Sequence, residues 1–236
     1  MNTQSRRIRR FVTASFLVLV LAPWAQPAAG AALEDTVLPA DRHTSPKAQS
    51  LATRHADALR AVSIRVYHCM PWVEIKKHGI GFYKPKHLAG DVRYLSINLF
   101  IDQQPSPEFS AYTVEERASR MFSRYVGPMV RRLAANGVLH DPDLDGFTVI
   151  LEWLKQVPAN GARPVHETIA AFIDKGTADQ YVAGRLPAHD LASHVRVLGW
   201  DGETALGPLR LVSWEDDFVR TYRVQDYQLA PGISCD

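Results

Sequence analysis

Val92-Arg-Tyr-Leu-Ser-Ile-Asn-Leu-Phe-Ile-Asp102 is the stretch on which the fold turns. Leu95, Ile97, Leu99 and Ile101 alternate with Ser96, Asn98 and Asp102, the period expected of a strand with one buried face and one partly wet face. Phe100 breaks the alternation by setting an aromatic ring on the polar side. Downstream the period changes. Val114, Ala118, Met121, Phe122, Tyr125, Met129, Val130 and Leu133 form one helical stripe, which predicts a helix from Val114 to about Ala135. Thr113 and Glu116 supply a capping box, in which each side chain satisfies a backbone N–H at the helix start. Asn136-Gly137 supplies the stop. Gly127-Pro128 should kink or break this helix near its middle, because the proline ring removes an N–H and crowds the preceding turn. Arg117, Arg120, Arg124 and Arg131 fall largely off the stripe.

Upstream, Ser45 and Pro46 read as the N-cap and first turn of a helix that carries Ala48, Leu51, Ala52, His55, Leu59 and Val62 at helical spacing. A strand over Ser63–Ile75 is expected next, followed by a basic connection from Lys76 to His87. Beyond the central helix, the pattern predicts a strand over Phe147–Lys155 and a helix over roughly Val165–Leu186, interrupted at Gly176 and closed by Pro187. Strands are then expected over His194–Trp200, Leu209–Trp214 and Val219–Leu229, with Asp201-Gly202 as the first turn. Strands toward both ends and helices in the middle, with no fixed period, define a single α+β domain over residues 46–236. Its sheet should be mixed, mainly antiparallel, and packed by about three helices. A parallel α/β sheet is the competing arrangement, since the helices each precede a strand.

The N-terminal residues read as an address. Arg6–Arg10 is basic, Phe11–Ala22 is largely apolar, and Pro27–Ala32 is a small-residue segment, the three-part plan of a secretory signal. The apolar run is short for a bilayer span, which needs about 20 residues. Ala29-Gly30-Ala31 fits the cleavage rule, so residues 1–31 should be removed as a signal peptide, leaving 32–45 as an extended leader. Arg6-Arg7 after Ser5 weakly resembles a twin-arginine signal, but Arg9 and Arg10 fall where that signal prefers apolar residues. The expected destination is the periplasm or the medium, with no transmembrane segment after signal removal.

Composition agrees with an ordinary globular chain: 236 residues, 46% apolar and 22% charged. The net charge of +2 owes its sign to the four arginines of the first ten residues; without them 23 basic residues face 25 acidic ones. That balance excludes the basic footprint of a nucleic-acid-binding domain. Cys69 and Cys235 are the only cysteines. In an oxidising compartment a disulfide between them is expected; a free Cys69 with an intermolecular Cys235, or a catalytic thiol, are the alternatives.

Asp141-Pro-Asp143-Leu-Asp145-Gly146, with Glu152 at the twelfth position, satisfies the EF-hand loop pattern and makes calcium a candidate cofactor. Leu144 is out of place in such a loop, and a strand over Phe147–Trp153 would carry Glu152 away. The alternatives are an ordinary acidic turn, or a calcium site built from Asp141, Asp143 and Asp145 without Glu152. The basic connection places Lys76, Lys77, Lys84 and Lys86, with His78 and His87, around Phe82 and Tyr83. Such a loop suits anionic headgroups or an acidic partner surface, or is simply a solvated connection. Trp72, Trp153, Trp200 and Trp214 read as core anchors or as the lining of a glycan or lipid cleft.

No nucleophile elbow, P-loop or dinucleotide fingerprint occurs. His166-Glu167 begins a zincin-like word, but the second histidine position is Ala170. His189 and His194 flank Asp190 without ligand spacing. His68 and Cys69, placed in a strand, should point to opposite faces. These features point to a non-enzymatic binding or accessory factor at the bacterial cell envelope, partnered by an envelope component or another exported protein. The alternative is a secreted hydrolase assembled from scattered residues such as Asp102, Glu152 and His194.

Overall fold

The computed structural model describes residues 36–156, 163–214 and 235. Six strands form one sheet in sequential order: β1 (Val73–Tyr83), β2 (Tyr94–Ile101), β3 (Gly146–Leu154), β4 (His166–Asp174), β5 (Arg196–Asp201) and β6 (Thr204–Pro208). Every neighbouring pair is antiparallel except β2 and β3. Parallel neighbours need a long crossover, and the helical middle of the chain supplies it. The fold is therefore α+β with a mixed, mainly antiparallel sheet.

Helices cover one face of the sheet. They are α1 (Pro46–Arg54), α2 (Ala56–Cys69), α3 (Pro107–Ala111), α4 (Val114–Met121), α5 (Gly127–Leu133), α6 (Lys175–Val182) and the single turn α7 (Ala188–Leu191). Leu95, Ile97 and Leu99 of β2 and Phe147, Val149 and Leu151 of β3 are fully buried beneath them. The strand reading of residues 92–102 thus holds, and so do the details of the central helix. Thr113 and Glu116 cap each other, and Asn136 and Gly137 end the run with left-handed φ angles of 55° and 80°. The irregularity forced by Pro128 takes the form of a π-helical turn, Phe122–Val126, between α4 and α5.

Several expected elements need correction. The first helix breaks at His55 and resumes to Cys69, so Ser63–Cys69 is helical and not part of a strand. Leu59, Val62, Ser63 and Val66 continue its buried stripe, whereas Ile64 and Tyr67, which lend the segment strand character, face solvent. His68 and Cys69 therefore lie on a helix. Residues Lys76–Tyr83 belong to β1 and not to a connection, which starts at Lys84. Four residues of β1, Lys76, Lys77, His78 and Gly79, bulge out opposite the single residue Asn98, between the pairs Ile75–Leu99 and Ile80–Ile97. Their Lys-Lys-His-Gly composition is what reads as loop.

His166–Asp174 is a strand, not the first half of a helix, and α6 starts at Lys175 with Asp174 as its N-cap. The last hairpin turns at Gly202 as expected, but β6 is Thr204–Pro208 instead of Leu209–Trp214. The strand expected over Val219–Leu229 lies outside the described residues. Thr36 and Leu38, in the expected leader, exchange backbone hydrogen bonds with Ile80, so this extended segment is seated along the outer edge of β1.

Cys69 and Cys235 form a disulfide, with Cα atoms 5.5 Å apart. Among the described residues, no helix is long and apolar enough to cross a membrane.

Candidate functional site

The face of the sheet turned away from the helices carries three rungs of side chains. Ser96, Thr148, Phe172 and Arg196 are in register across β2–β5, then Asn98, Ile150, Ala170 and Leu198, then Phe100, Glu152, Thr168 and Trp200. A strand presents alternate residues to one face, so each rung follows directly from the pairing. The first two rungs, except Arg196, together with Trp200 floor a cleft of about 540 Å³.

Its wall comes from β1 and the following loop. Lys77, His78 and Gly79 of the bulge stand on one side, followed by Tyr83, Lys84, Pro85, Lys86 and His87. His78 has a φ of 53°, an uncommon conformation for a residue with a side chain, and Tyr83 Oη donates to its carbonyl oxygen at 2.9 Å. Partial burial raises the Tyr83 phenol above its ordinary value, so it stays a neutral donor. The His87 ring stands edge-on to Phe172 with centroids 4.7 Å apart and closes that end. Burial first, and the Arg196 guanidinium second, lower the His87 pKa, which favours neutral imidazole.

The charge around the cleft is one-sided. Among the described residues no acid lines it, and neither Lys84 nor Lys86 has an ion-pair partner. The floor is apolar over Ile150, Ala170, Phe172, Leu198 and Trp200 and polar toward β2 and the first rung, where Ser96, Asn98 and Thr148 line it.

Of the basic and aromatic residues singled out by sequence, Lys77, Tyr83, Lys84 and Lys86 meet at this cleft. Phe82 does not; it alternates inward and is 2% exposed in the core. Lys76 reaches across to Glu152, whose other oxygen is 3.6 Å from His166 Nδ1. Trp200 is the tryptophan that lines the cleft, whereas Trp153 is buried and its indole N–H donates to Glu167. Phe172, Ala170 and Leu198 went unnoticed by sequence reasoning. The available signal was that His166–Asp174 is apolar on both strand faces, which suits a sheet whose outer face also receives something.

The acidic turn sits elsewhere, where α1 meets the start of β3. Asp141 accepts from Arg54 and His55, each at 2.6 Å, and from the Asp143 N–H at 2.9 Å. Asp143 pairs with Arg54 at 3.0 Å, and Asp145 pairs with Lys47 at 2.8 Å while accepting from the Arg93 N–H at 2.7 Å. Glu152 lies along β3 with Lys76. A calcium ion at Asp141, Asp143 and Asp145 would have to displace these cations. Among the described residues, no group of three or more His, Cys, Asp or Glu side chains is gathered as metal ligands. Gly146 has its own explanation: a Cβ there would come within 2.4 Å of the Ile173 carbonyl oxygen and 2.7 Å of the Tyr94 ring.

The scattered residues Asp102, Glu152 and His194 do not converge. Asp102 follows the end of β2 that aligns with Trp153 and Glu167, whereas His194 precedes β5 at the opposite end, where Arg196 aligns with Phe172. His189 and His194 are exposed.

Fold and site together define an α+β protein with one helix-covered sheet face and a second face that, among the described residues, is open and bears a lysine-rimmed apolar cleft. Comparisons of the chain with protein-family models, with curated proteins and with solved structures find no match.

Proposed function

We propose that the protein is an exported, non-enzymatic binding factor of the bacterial cell envelope, and that the open sheet face is its binding site for a small apolar ligand. The observation that carries this reading is the 540 Å³ cleft, a volume in the range of small-molecule sites, with an apolar floor and few polar groups. The signal-like N-terminus and the disulfide support export, since such bonds persist in oxidising compartments.

Binding is tested with N-phenyl-1-naphthylamine, a neutral apolar dye that brightens when taken out of water. The expected result is saturable binding, quenched or energy-transfer-coupled to Trp200 and weakened at least about fivefold by Phe172→Asp, which puts a charge on the floor. Binding of equal strength in that variant, or no saturable binding at all, would overturn the assignment.

A further inference from the structure

On the helical side of the molecule, away from the cleft, two arginines line one notch without a counter-charge. The notch lies where α2 packs against α5, has a volume of about 20 Å³, and is lined by Ala61, Val62, Arg65, Arg132, Ala135 and Asn136. That is room for a small ion and not for an organic ligand. No acid lines it among the described residues.

Arg65 is exposed and has no hydrogen bond or ion pair among the described residues. Arg132 is fixed from behind: Nη1 donates to the Pro128 carbonyl at 3.3 Å, and Nε is sealed off from solvent and so from any ligand. Nη2 is neither sealed nor bonded among the described residues, which leaves it as the nitrogen able to bind. Burial first, and the Arg65 charge second, lower the Arg132 pKa, with no carboxylate to offset them. The carbonyl end of α5 accounts for one cation here, but Arg65 sits inside α2, where no helix terminus helps it. Neighbouring arginines of the same two helices are answered: Arg60 pairs with Asp57, and Arg131 stacks on Tyr181. Two cations gathered without an anion repel each other, and an anion between them reverses that balance.

We infer that this notch is a binding site for a dianionic phosphoryl group, held by Arg65, by Arg132 Nη2 and by the side-chain amide of Asn136. Two guanidinium charges match a dianion, and guanidinium N–H groups suit phosphate oxygens. The notch holds no more than that group, so the rest of a ligand lies outside it. Inorganic phosphate, a soluble phosphomonoester and the headgroup of phosphatidic acid share this chemistry. The site is independent of the cleft and of the reading given to it.

The test is calorimetric titration of the protein with inorganic phosphate in mildly alkaline buffer, where phosphate is chiefly the dianion, against potassium chloride at matched ionic strength. Saturable binding is expected with phosphate and not with chloride. Arg65→Gln and Arg132→Gln should each weaken it about tenfold or more, since each removes a charge-assisted hydrogen bond. Arg65→Lys should recover part of the loss, and Arg60→Gln, which changes the net charge equally, should lose nothing. No saturable binding, undiminished binding in Arg65→Gln, or equal weakening in Arg60→Gln would each overturn the inference. Should Arg132→Gln fail to fold, Arg65→Gln at its exposed position carries the test. Cosedimentation with phosphatidylcholine vesicles, with and without phosphatidic acid, then identifies the source. Binding only to the vesicles with phosphatidic acid, lost in Arg65→Gln and displaced by inorganic phosphate, assigns a lipid headgroup. Phosphate binding without vesicle binding assigns a soluble phosphate or phosphomonoester.

Discussion

Arg117 and Glu167 form an ion pair that is 5% and 1% exposed, with Nε to Oε2 at 2.7 Å and Nη2 to Oε1 at 2.5 Å. Glu167 also accepts from the Trp153 indole at 3.1 Å, and Arg117 donates to the Tyr112 carbonyl, so nearly every polar atom of the pair is answered. Neither residue was legible. Arg117 falls off the apolar stripe of the central helix, and Glu167 reads as part of a failed metal motif. Sequence spacing along each element says nothing of a partner 50 residues away. Removing one member of a buried pair strands the other's charge, at a cost of about 3–5 kcal/mol. Glu167→Gln should therefore lower the urea midpoint by that equivalent with no change in slope. A midpoint within error of the native protein would show that the guanidinium finds other acceptors.

At the scale of elements, alternation succeeded where the outer face of a strand carries polar side chains and failed where both faces carry apolar ones. Residues 92–102 were readable as a strand because Ser96 and Asn98 interrupt the apolar series. Residues 166–174 were not, because Ala170 and Phe172 face the cleft while Ile169, Ala171 and Ile173 face the core. The feature that hid β4 is the one that makes the site. The bulge in β1 hid that strand too: Lys76–Gly79 carry loop composition because they leave the ladder, Lys76 to pair with Glu152 and Lys77, His78 and Gly79 to wall the cleft.

The α1–β3 junction yields a prediction at this same scale. Burial alone would raise the Asp141 pKa, but hydrogen bonds from the Asp143 N–H and His55, with the Arg54 guanidinium, hold it below its ordinary 3.8. The folded protein thus releases this proton more readily than the unfolded chain. Its contribution to stability is complete above the ordinary carboxylate value and is lost as pH falls through the depressed native one. Asp141→Asn should cost roughly 2 kcal/mol at neutral pH and flatten the loss of stability below about pH 4. Denaturant titrations at several acidic pH values check this. Parallel acid limbs in the two proteins would place the titrating group elsewhere.

The whole molecule was legible in class and in its one covalent tie, although Cys69 lies on a different element from the one expected. Cys69 is half-buried at the C-terminal end of α2, where the chain turns into β1, and not within an interior strand. The bond still joins residue 235 to the body of the fold across 166 residues of sequence. In the chain-entropy picture a loop of that length restricts the unfolded state by about 5 kcal/mol, an upper figure because residual structure in the unfolded chain reduces it. Spread over a domain of this size, that corresponds to a fall in melting temperature of roughly 10 °C. Leu95, Ile97 and Phe147 are fully buried in the sheet and helix core. The double variant Cys69→Ser, Cys235→Ser should therefore keep the native far-ultraviolet spectrum while melting earlier. Its loss should be matched by reducing the native protein, and not add to that reduction. Thiol counting with a maleimide under denaturing, non-reducing conditions gives the direct check. No labelled cysteine is expected before reduction and two after it. Two labelled before reduction, or a disulfide-linked dimer, would overturn the intramolecular bond.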